Sequence, residues 1–569
     1  MGSESVQDIY ELSPLQQGML LHSVYDGAAD MYLGQHIYMI EGPLDPDALI
    51  RAWQSVFAAH PALRTSFHWA GLDKPLQVVH RDVAPPAHRH DWSDLSEQEQ
   101  LERTQQLLAD DQAKGFDLSV APLQRLYLLR LGPDRHGLAW SHHHLLLDGW
   151  SVPIFMNEVM AQYAILTGGG TPPPPAPPYR DYIAWLRRQD TAAAETFWKE
   201  TLAGFRPAEL VPMKPADPRR GTGAVDRLTI SMRGDLENAL QAAAARHRVA
   251  MAALLQAAWA VVLRRYSGVS TVSFGAVTSG RPPELAGVDR MIGLFANTLP
   301  VPVTVPDDGD LGDWLRDLQN RIAAIRRYEF SPLSDIKKWA GTPGGSLFDS
   351  LVVLANYSFT VEAGEVGRAL SVRSEGAYDK VSVPLSLIVN PQPVSEIQLV
   401  LHRNRFDPDF PEEAMACVRR TLEAITTADR IEQVTAAAGP PLAPVTVGVG
   451  AATEPDGPLT PPETPEEEAI AAVYRDILGL DEVDVTHSFF ELGGDSFGAV
   501  RAIGRIEGAT IGMLAANPSV RALARALAAA GESDADLDAE IAELERQIAE
   551  HADLERQLAE KRAAREGQP

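Results

Sequence analysis

The sequence predicts an α/β protein: a two-lobed body of strands and helices, then a small all-α bundle, then one amphipathic helix. Three observations carry this. Strand-like and helix-like segments alternate along the first 435 residues, with one faint internal repeat. From Ala436 to Glu466 the chain is rich in Pro, Gly, Ala and Thr and loses apolar periodicity, which reads as a flexible linker. From Asp534 to Arg565 it is almost pure helix former. The expected division is an N-lobe over 1–170, a Pro-rich connector over 171–178, a C-lobe over 179–437, a linker over 438–463, a helical bundle over 464–531 and a terminal helix over 534–566.

The elements follow in order. His36-Ile37-Tyr38-Met39-Ile40 reads as a strand. Asp45-Pro46 then supplies a helix cap and first position, and Leu49, Trp53, Val56 and Phe57 fall on one helical face. Gly137-Leu138-Ala139-Trp140-Ser141 reads as a buried strand leading into His143, with a helix beginning near Ser151. Thr171 to Pro178 must run extended. The second lobe echoes the first. Leu228 to Met232 reads as a strand, Asp235 opens a helix carrying Leu236, Leu240 and Ala244, and a helix from Met251 to Tyr266 stops near Gly268. A strand over Thr271 to Val277 follows. In a two-lobed body the cleft between lobes is the default site.

Composition narrows the function classes. The chain has 569 residues, 45% hydrophobic and 22% charged, with a formal charge of −27. That balance argues against nucleic acid as a partner, because phosphate binding needs concentrated Lys and Arg. No run of about 18 apolar residues occurs, so no membrane partner is expected. Met1-Gly2-Ser3-Glu4-Ser5 shows no secretory start. Cys417 is the single cysteine, which rules out an internal disulfide or thiolate cluster and fits a cytoplasmic location.

The most informative stretch is His143-His144-Leu145-Leu146-Leu147-Asp148-Gly149-Trp150-Ser151. A strand delivers two histidines to its end, where side chains face a cleft. Neutral imidazole exchanges protons near neutral pH. His144 is the expected catalytic group, with His143 and Asp148 holding the loop and Gly149 allowing a tight turn. His142, His143 and His144 are consecutive, and strand neighbours point to opposite faces, so no metal site is expected.

Several separated motifs, in order, resemble those of a condensation domain of nonribosomal peptide synthetases, in the larger chloramphenicol-acetyltransferase-like class. They are Leu12-Ser13-Pro14-Leu15-Gln16-Gln17-Gly18-Met19-Leu20-Leu21-His22, Leu63-Arg64-Thr65-Ser66-Phe67, the His143–Ser151 stretch and Tyr179-Arg180-Asp181-Tyr182-Ile183-Ala184-Trp185-Leu186. Ser279-Gly280-Arg281-Pro282, Ile292 to Pro300, Phe348 to Val353 and Arg405-Phe406-Asp407 complete the set over residues 5–435. The resemblance implies that the amine of one carrier-bound thioester attacks another through a tetrahedral oxyanion. It gives His144 the role of base or amine positioner, and pairs Asp148 with Arg281. Ser151 and Asn297 are expected to support the site. The order of domains, and Gly149-Trp150-Ser151-Val152-Pro153, fit condensation better than epimerisation.

Residues 464–530 resemble a peptidyl carrier domain through Phe490-Glu491-Leu492-Gly493-Gly494-Asp495-Ser496. Glu466-Glu467-Glu468 opens a helix with Ile470, Val473, Tyr474 and Ile477 on one face. The resemblance implies 4′-phosphopantetheine covalently attached to Ser496, installed by a phosphopantetheinyl transferase. After Ile506 the second helix and its loop are expected to be short by about a turn. No adenylation region is expected. The partners implied are therefore an upstream donor carrier protein and an adenylation enzyme that loads Ser496 in trans. Leu537, Ile541, Leu544 and Ile548 form a coiled-coil-like seam that suits docking of a downstream synthetase or pairing with a second copy of itself. Acyl transfer from the carrier to a free amine or alcohol, and an inactive platform recruiting tailoring enzymes, are the competing readings.

Overall fold

The computed structural model describes residues 5–25, 32–69, 72, 74–172, 174–207, 210, 213–214, 225–342, 346–355, 370–378, 383–390, 395–442, 459–489, 492, 496–509, 513–514 and 517–529. Residues 1–452 and 453–569 form two separate compact units.

The first unit holds three sheets among its described residues. A small one has the order β1 (Val6–Glu11), β4 (Leu76–His80), β3 (Thr65–His68). A five-stranded sheet runs β12 (Ser371–Tyr378), β2 (Leu33–Glu41), β7 (Arg135–His143), β6 (Gln124–Arg130), β5 (Ala87–Asp91). A six-stranded sheet runs β10 (Asn297–Thr304), β9 (Thr271–Thr278), β11 (Ser350–Leu354), β13 (Leu385–Asn390), β14 (Glu396–His402), β8 (Val225–Ser231).

The first-lobe helices are α1 (Pro14–Tyr25), α2 (Pro46–Ala59), α3 (Glu97–Lys114) and α4 (Ser151–Leu166). Local chemistry sets α2: Oδ1 of Asp45 accepts from the amides of Asp47 and Ala48 at 2.9 and 3.0 Å, and Pro46 sits in its first turn. Its face of Leu49, Trp53, Val56 and Phe57 is buried. Trp53 stands edge-on to Trp140 of β7 and to Phe155 of α4, with centroids 5.2 and 4.7 Å apart. These aromatic contacts lock the helical layer onto the strand that carries the histidines.

Short helices α5 (Arg180–Leu186) and α6 (Thr191–Thr201) follow the Pro-rich connector. The described residues of the connector are coil, and the Arg290 guanidinium donates to the carbonyls of Pro174 and Pro175. In the second lobe, α7 (Asp235–His247), α8 (Met251–Ser267), α9 (Leu311–Arg326), α10 (Leu333–Trp339), α11 (Phe410–Thr427) and α12 (Ile431–Ala438) join the six-stranded sheet in one core around Trp259 and Phe274. The apolar run of α8 is buried nearly all round and ends at Gly268 in the left-handed conformation, φ 73°. No single described helix is long and apolar enough to cross a membrane.

One strand departs from the expected division. β12 lies within the segment assigned to the C-lobe, yet it pairs antiparallel with β2 at the edge of the first-lobe sheet. Arg373 reaches Glu41 across that pair at 3.1 Å, 332 residues away in the chain. A seam of this range leaves no local sequence signal.

The second unit contains α13 (Pro465–Leu478) and α14 (Ser496–Ile503), with residues 520–529 also helical. Thr464 caps α13, its hydroxyl accepting from the amide of Glu467. Ile470, Tyr474, Val485, Phe489, Ala499 and Leu523 share one core. The expected linker and the terminal helix over 534–566 lie largely or wholly outside the described residues.

Candidate active site and carrier serine

Strand β7 ends at His143, and the turn after it carries His144. The amide of His144 donates to the carbonyl of Tyr32 at 2.9 Å, and the amide of Leu145 donates to Nδ1 of His143 at 3.2 Å. His143 is buried, and burial, reinforced by the neighbouring His144, pushes its imidazole down to about 3. It is therefore neutral at physiological pH, with Nδ1 as acceptor and the proton on Nε2. His143 holds the turn and puts no positive charge beside His144. His144 itself is half-buried. His142 is fully buried, its ring 5.3 Å from that of His144, and its Nε2 is 3.1 Å from that of His36.

Asp148 is the hub of the loop, and its side chain is 2% exposed. Its Oδ1 accepts from the amide and hydroxyl of Ser151 at 2.8 and 2.9 Å, so it also caps the start of α4. Its Oδ2 accepts from the amides of Phe295 and Ala296 at 2.9 and 3.1 Å, in the other lobe. Arg281 stands 3.4 Å from Oδ1. The Arg281 guanidinium also donates to the Ser151 hydroxyl at 2.9 Å and to the carbonyls of Val288 and Met291, and it packs over the Phe295 ring. The Ser151 hydroxyl meets both the carbonyl and the amide of Gly293, at 2.9 and 3.2 Å. Asp148, Ser151 and Arg281 thus weld the histidine turn to the 288–296 segment.

Two expectations change. Asn297 does not join this knot. Its Nδ2 donates to the carbonyls of Glu329 and Ser331 at 2.8 Å each, and its Oδ1 accepts from Thr298, so it pins the loop after α9. Gly149 lies in the turn but not in the left-handed region, so the turn does not need glycine's extra freedom.

The histidine turn is also held by motif residues that sequence reasoning did not single out. Nε2 of Gln16 donates to the carbonyl of Leu145 at 2.8 Å. The hydroxyls of Ser13 and Tyr179 both donate to the carbonyl of Leu294, and that of Tyr182 to Phe295. Burial pushes both tyrosines well up, so they remain donors. Polar residues at fixed places inside apolar motifs were the available signal. By contrast Arg64 binds the carbonyl of His80 and Oε1 of Gln7, and Phe406 stacks on Phe410, both away from the turn.

In the second unit, Ser496 is the first residue of α14. Gly493, Gly494 and Asp495 lie outside the described residues. The first amides of a helix have no intrahelical acceptor and favour a phosphate there, so this placement fits a phosphodiester on Ser496. Gly494-Asp495-Ser496-Phe497-Gly498 also has the spacing of a hydrolase elbow. Such an elbow needs a sheet strand running into the serine, and no named strand occurs among the described residues of this unit.

Comparison with known proteins matches most of this chain to an acyltransferase class. A family model of the condensation domain matches residues 6–434, and a model of the phosphopantetheine attachment site matches residues 468–527. The chain belongs to the condensation-domain family of nonribosomal peptide synthetases and carries a phosphopantetheine-binding carrier domain behind it. Condensation domains catalyse amide-bond formation, an acyltransferase-type activity, and the carrier family bears 4′-phosphopantetheine covalently on a serine.

Among curated relatives, one of the linear gramicidin synthase proteins of Brevibacillus parabrevis is 39% identical over 426 residues, covering 74% of this chain and 8% of the relative. Surfactin synthase subunit 2 of Bacillus subtilis (strain 168) is 33% identical over 429 residues, covering 74% and 12%. The chain thus spans a small fraction of the relatives it matches. Among solved structures, a four-domain nonribosomal peptide synthetase bound to AMP and glycine aligns with TM-score 0.65 at 16% identity, over 83% of this chain and 36% of that one. The X-domain from teicoplanin biosynthesis aligns with TM-score 0.61 at 22% identity, over 77% and 96%.

Proposed function

We propose that this chain is a partial synthetase module. It forms an amide bond between a donor acyl or peptidyl thioester, brought by an upstream carrier protein, and an amine held on its own Ser496. The observation that carries the reading is the half-buried His144, set on a turn that Asp148, Ser151 and Arg281 fix to the opposite lobe. The 4′-phosphopantetheine arm, when attached to Ser496, supplies a flexible thiol that holds the acceptor as a thioester. In the reaction the C–N bond forms, the donor C–S bond breaks, and the amine's proton leaves with the departing thiolate as a free thiol. His144 accepts that proton or orients the amine by a hydrogen bond. Acting as the base needs a neutral imidazole at His144. Holding both reactants in line supplies much of the remaining acceleration, because thioesters are already activated.

Residues 435–467, between the two matched domains, are too few for an amino-acid-activating domain. On this reading an adenylation enzyme loads Ser496 in trans, after a phosphopantetheinyl transferase has modified it, and the whole works in the cytoplasm. Residues 534–566, whose apolar spacing suits a coiled-coil seam, recruit a downstream synthetase.

Two experiments test this. In a reconstituted assay, His144→Ala removes product formation; undiminished product would leave the platform reading instead. Treatment with coenzyme A and a phosphopantetheinyl transferase adds one arm to the intact chain, and Ser496→Ala does not gain it. An arm persisting in Ser496→Ala would reject the site.

A further inference from the structure

We propose that Gln16 is a positioning residue for His144, acting with Gln77 as a buried amide pair beneath the histidine turn. The proposal rests on the reading of His144 given above. Gln16 lies in the first turn of α1 and Gln77 on β4, and each is 1% exposed.

The Gln16 side chain does one job at each end, and its Nε2 also reaches Oε1 of Gln77 at 3.4 Å, a contact that is lost together with the Leu145 bond when the donor is removed. Its Oε1 accepts from the amide of Ser13 at 2.8 Å while the Ser13 hydroxyl accepts from the amide of Gln16 at 3.4 Å. That is a reciprocal capping box, and it belongs to the helix. Its Nε2 donates to the carbonyl of Leu145, the residue after His144, at 2.8 Å. Gln77 steadies the amide plane: its Nε2 donates to Oε1 of Gln16 at 3.0 Å and to the carbonyl of Glu11 at 2.8 Å. On the turn, the amides of His144 and Leu145 are already taken by Tyr32 and His143. The Leu145 carbonyl is the next fixed point along the backbone, and the Gln16 amide fixes it. A turn freed there lets the His144 ring drift, and a displacement of about 1 Å at a reacting group can cost about 100-fold.

Glutamate at this position separates the jobs. It has the same shape and still accepts from Ser13 and Gln77, so the cap survives. An ionised carboxylate has no donor, so it cannot bind the Leu145 carbonyl and faces it oxygen to oxygen. The groups within hydrogen-bonding reach of this side chain are Ser13, Gln77 and Leu145, none of them charged.

The test compares wild type, Gln16→Glu, Gln16→Met and His144→Ala as full chains. Turnover is measured from pH 6 to 8.5 with the donor and acceptor thioesters that the wild type uses, alongside thermal midpoints. Histidine C2–H exchange at His144, read by mass spectrometry, reports the ring without any substrate. Gln16→Glu is expected to stay near the wild-type midpoint and kcat at pH 6, where a protonated carboxyl still donates to the Leu145 carbonyl, and at pH 8.5 to lose at least 10-fold in kcat together with part of its thermal stability, with donor KM unchanged and a changed exchange rate at His144. Gln16→Met is expected to lose kcat at every pH. Wild-type kcat and exchange in Gln16→Glu at pH 8.5 would overturn the proposal. If His144→Ala retains full turnover, the functional reading fails, and the exchange data alone then decide whether Gln16 positions the ring.

Discussion

The Asp148 carboxylate gathers the amide and hydroxyl of Ser151, the Arg281 guanidinium and the amides of Phe295 and Ala296. Asn in its place would lose the charge and, in either amide orientation, set an N–H₂ against existing donors. Asp148→Asn is expected to destabilise the condensation unit by about 3–5 kcal/mol, the cost of stranding one partner of a buried ion pair, checked by urea unfolding. His143 makes stability depend on pH. Below about 6.5 an unfolded imidazole takes up a proton that the folded ring, held near 3, refuses. The unfolded state then binds more protons, so stability rises with pH between about 3 and 6.5 and is lost on acidification. Between pH 7 and pH 5 this one ring accounts for roughly 2 kcal/mol. Burial lowers His80, His136 and His247 in the same direction. Urea midpoints measured across this window should fall with pH, and His143→Gln should flatten the slope.

Among elements, the 279–296 segment has the least slack. Gly280 sits at φ +60°, and a Cβ there would fall 1.8 Å from the carbonyl oxygen of Phe295. A Cβ on Gly293 would lie 2.1 Å from the Tyr179 ring. Gly280→Ala must move backbone against backbone, so it is expected to cost about 3 kcal/mol or more through overpacking and strain. Gly341, at φ +71° with nothing within 4 Å of its added Cβ, should cost only the conformational penalty of about 1 kcal/mol when changed to Ala. Comparing their thermal midpoints checks both. Elements governed by neighbours in sequence could be read directly. Asp45-Pro46 with its apolar face gave α2, Gly268 gave the end of α8, and the apolar run before His143 gave β7. What sequence could not show was distance-dependent. The pairing of Asp148 with Arg281 came from family resemblance alone, because 133 residues separate the two. The partners of Asn297, the carbonyls of Glu329 and Ser331, are backbone groups with no residue signature.

At the level of the whole molecule, two units share one chain, and the proposed reaction requires the carrier to reach the condensation body. Joining two modules in one chain raises the concentration of one at the other to the order of 1 mM for short linkers. Cutting the chain with a protease site inserted at about residue 450 should leave both unfolding transitions in place by calorimetry. Turnover at 1 µM protein should nevertheless fall by about 100-fold or more, unless the released carrier binds the body tightly on its own. Unchanged turnover would show that the tether contributes nothing to encounter.

Because β12 crosses back to complete the sheet begun by the other half, the Pro-rich bend is a false joint for anyone recombining synthetases. A chimera spliced there would seat a foreign ribbon against β2, bringing its own side chains opposite Glu41 and the rest of that border. Hybrids that carry residues 371–378 together with the amino-terminal half should stay soluble where simple halves-swaps precipitate, since a β2 poorly paired with a foreign ribbon offers its amides to any passing chain.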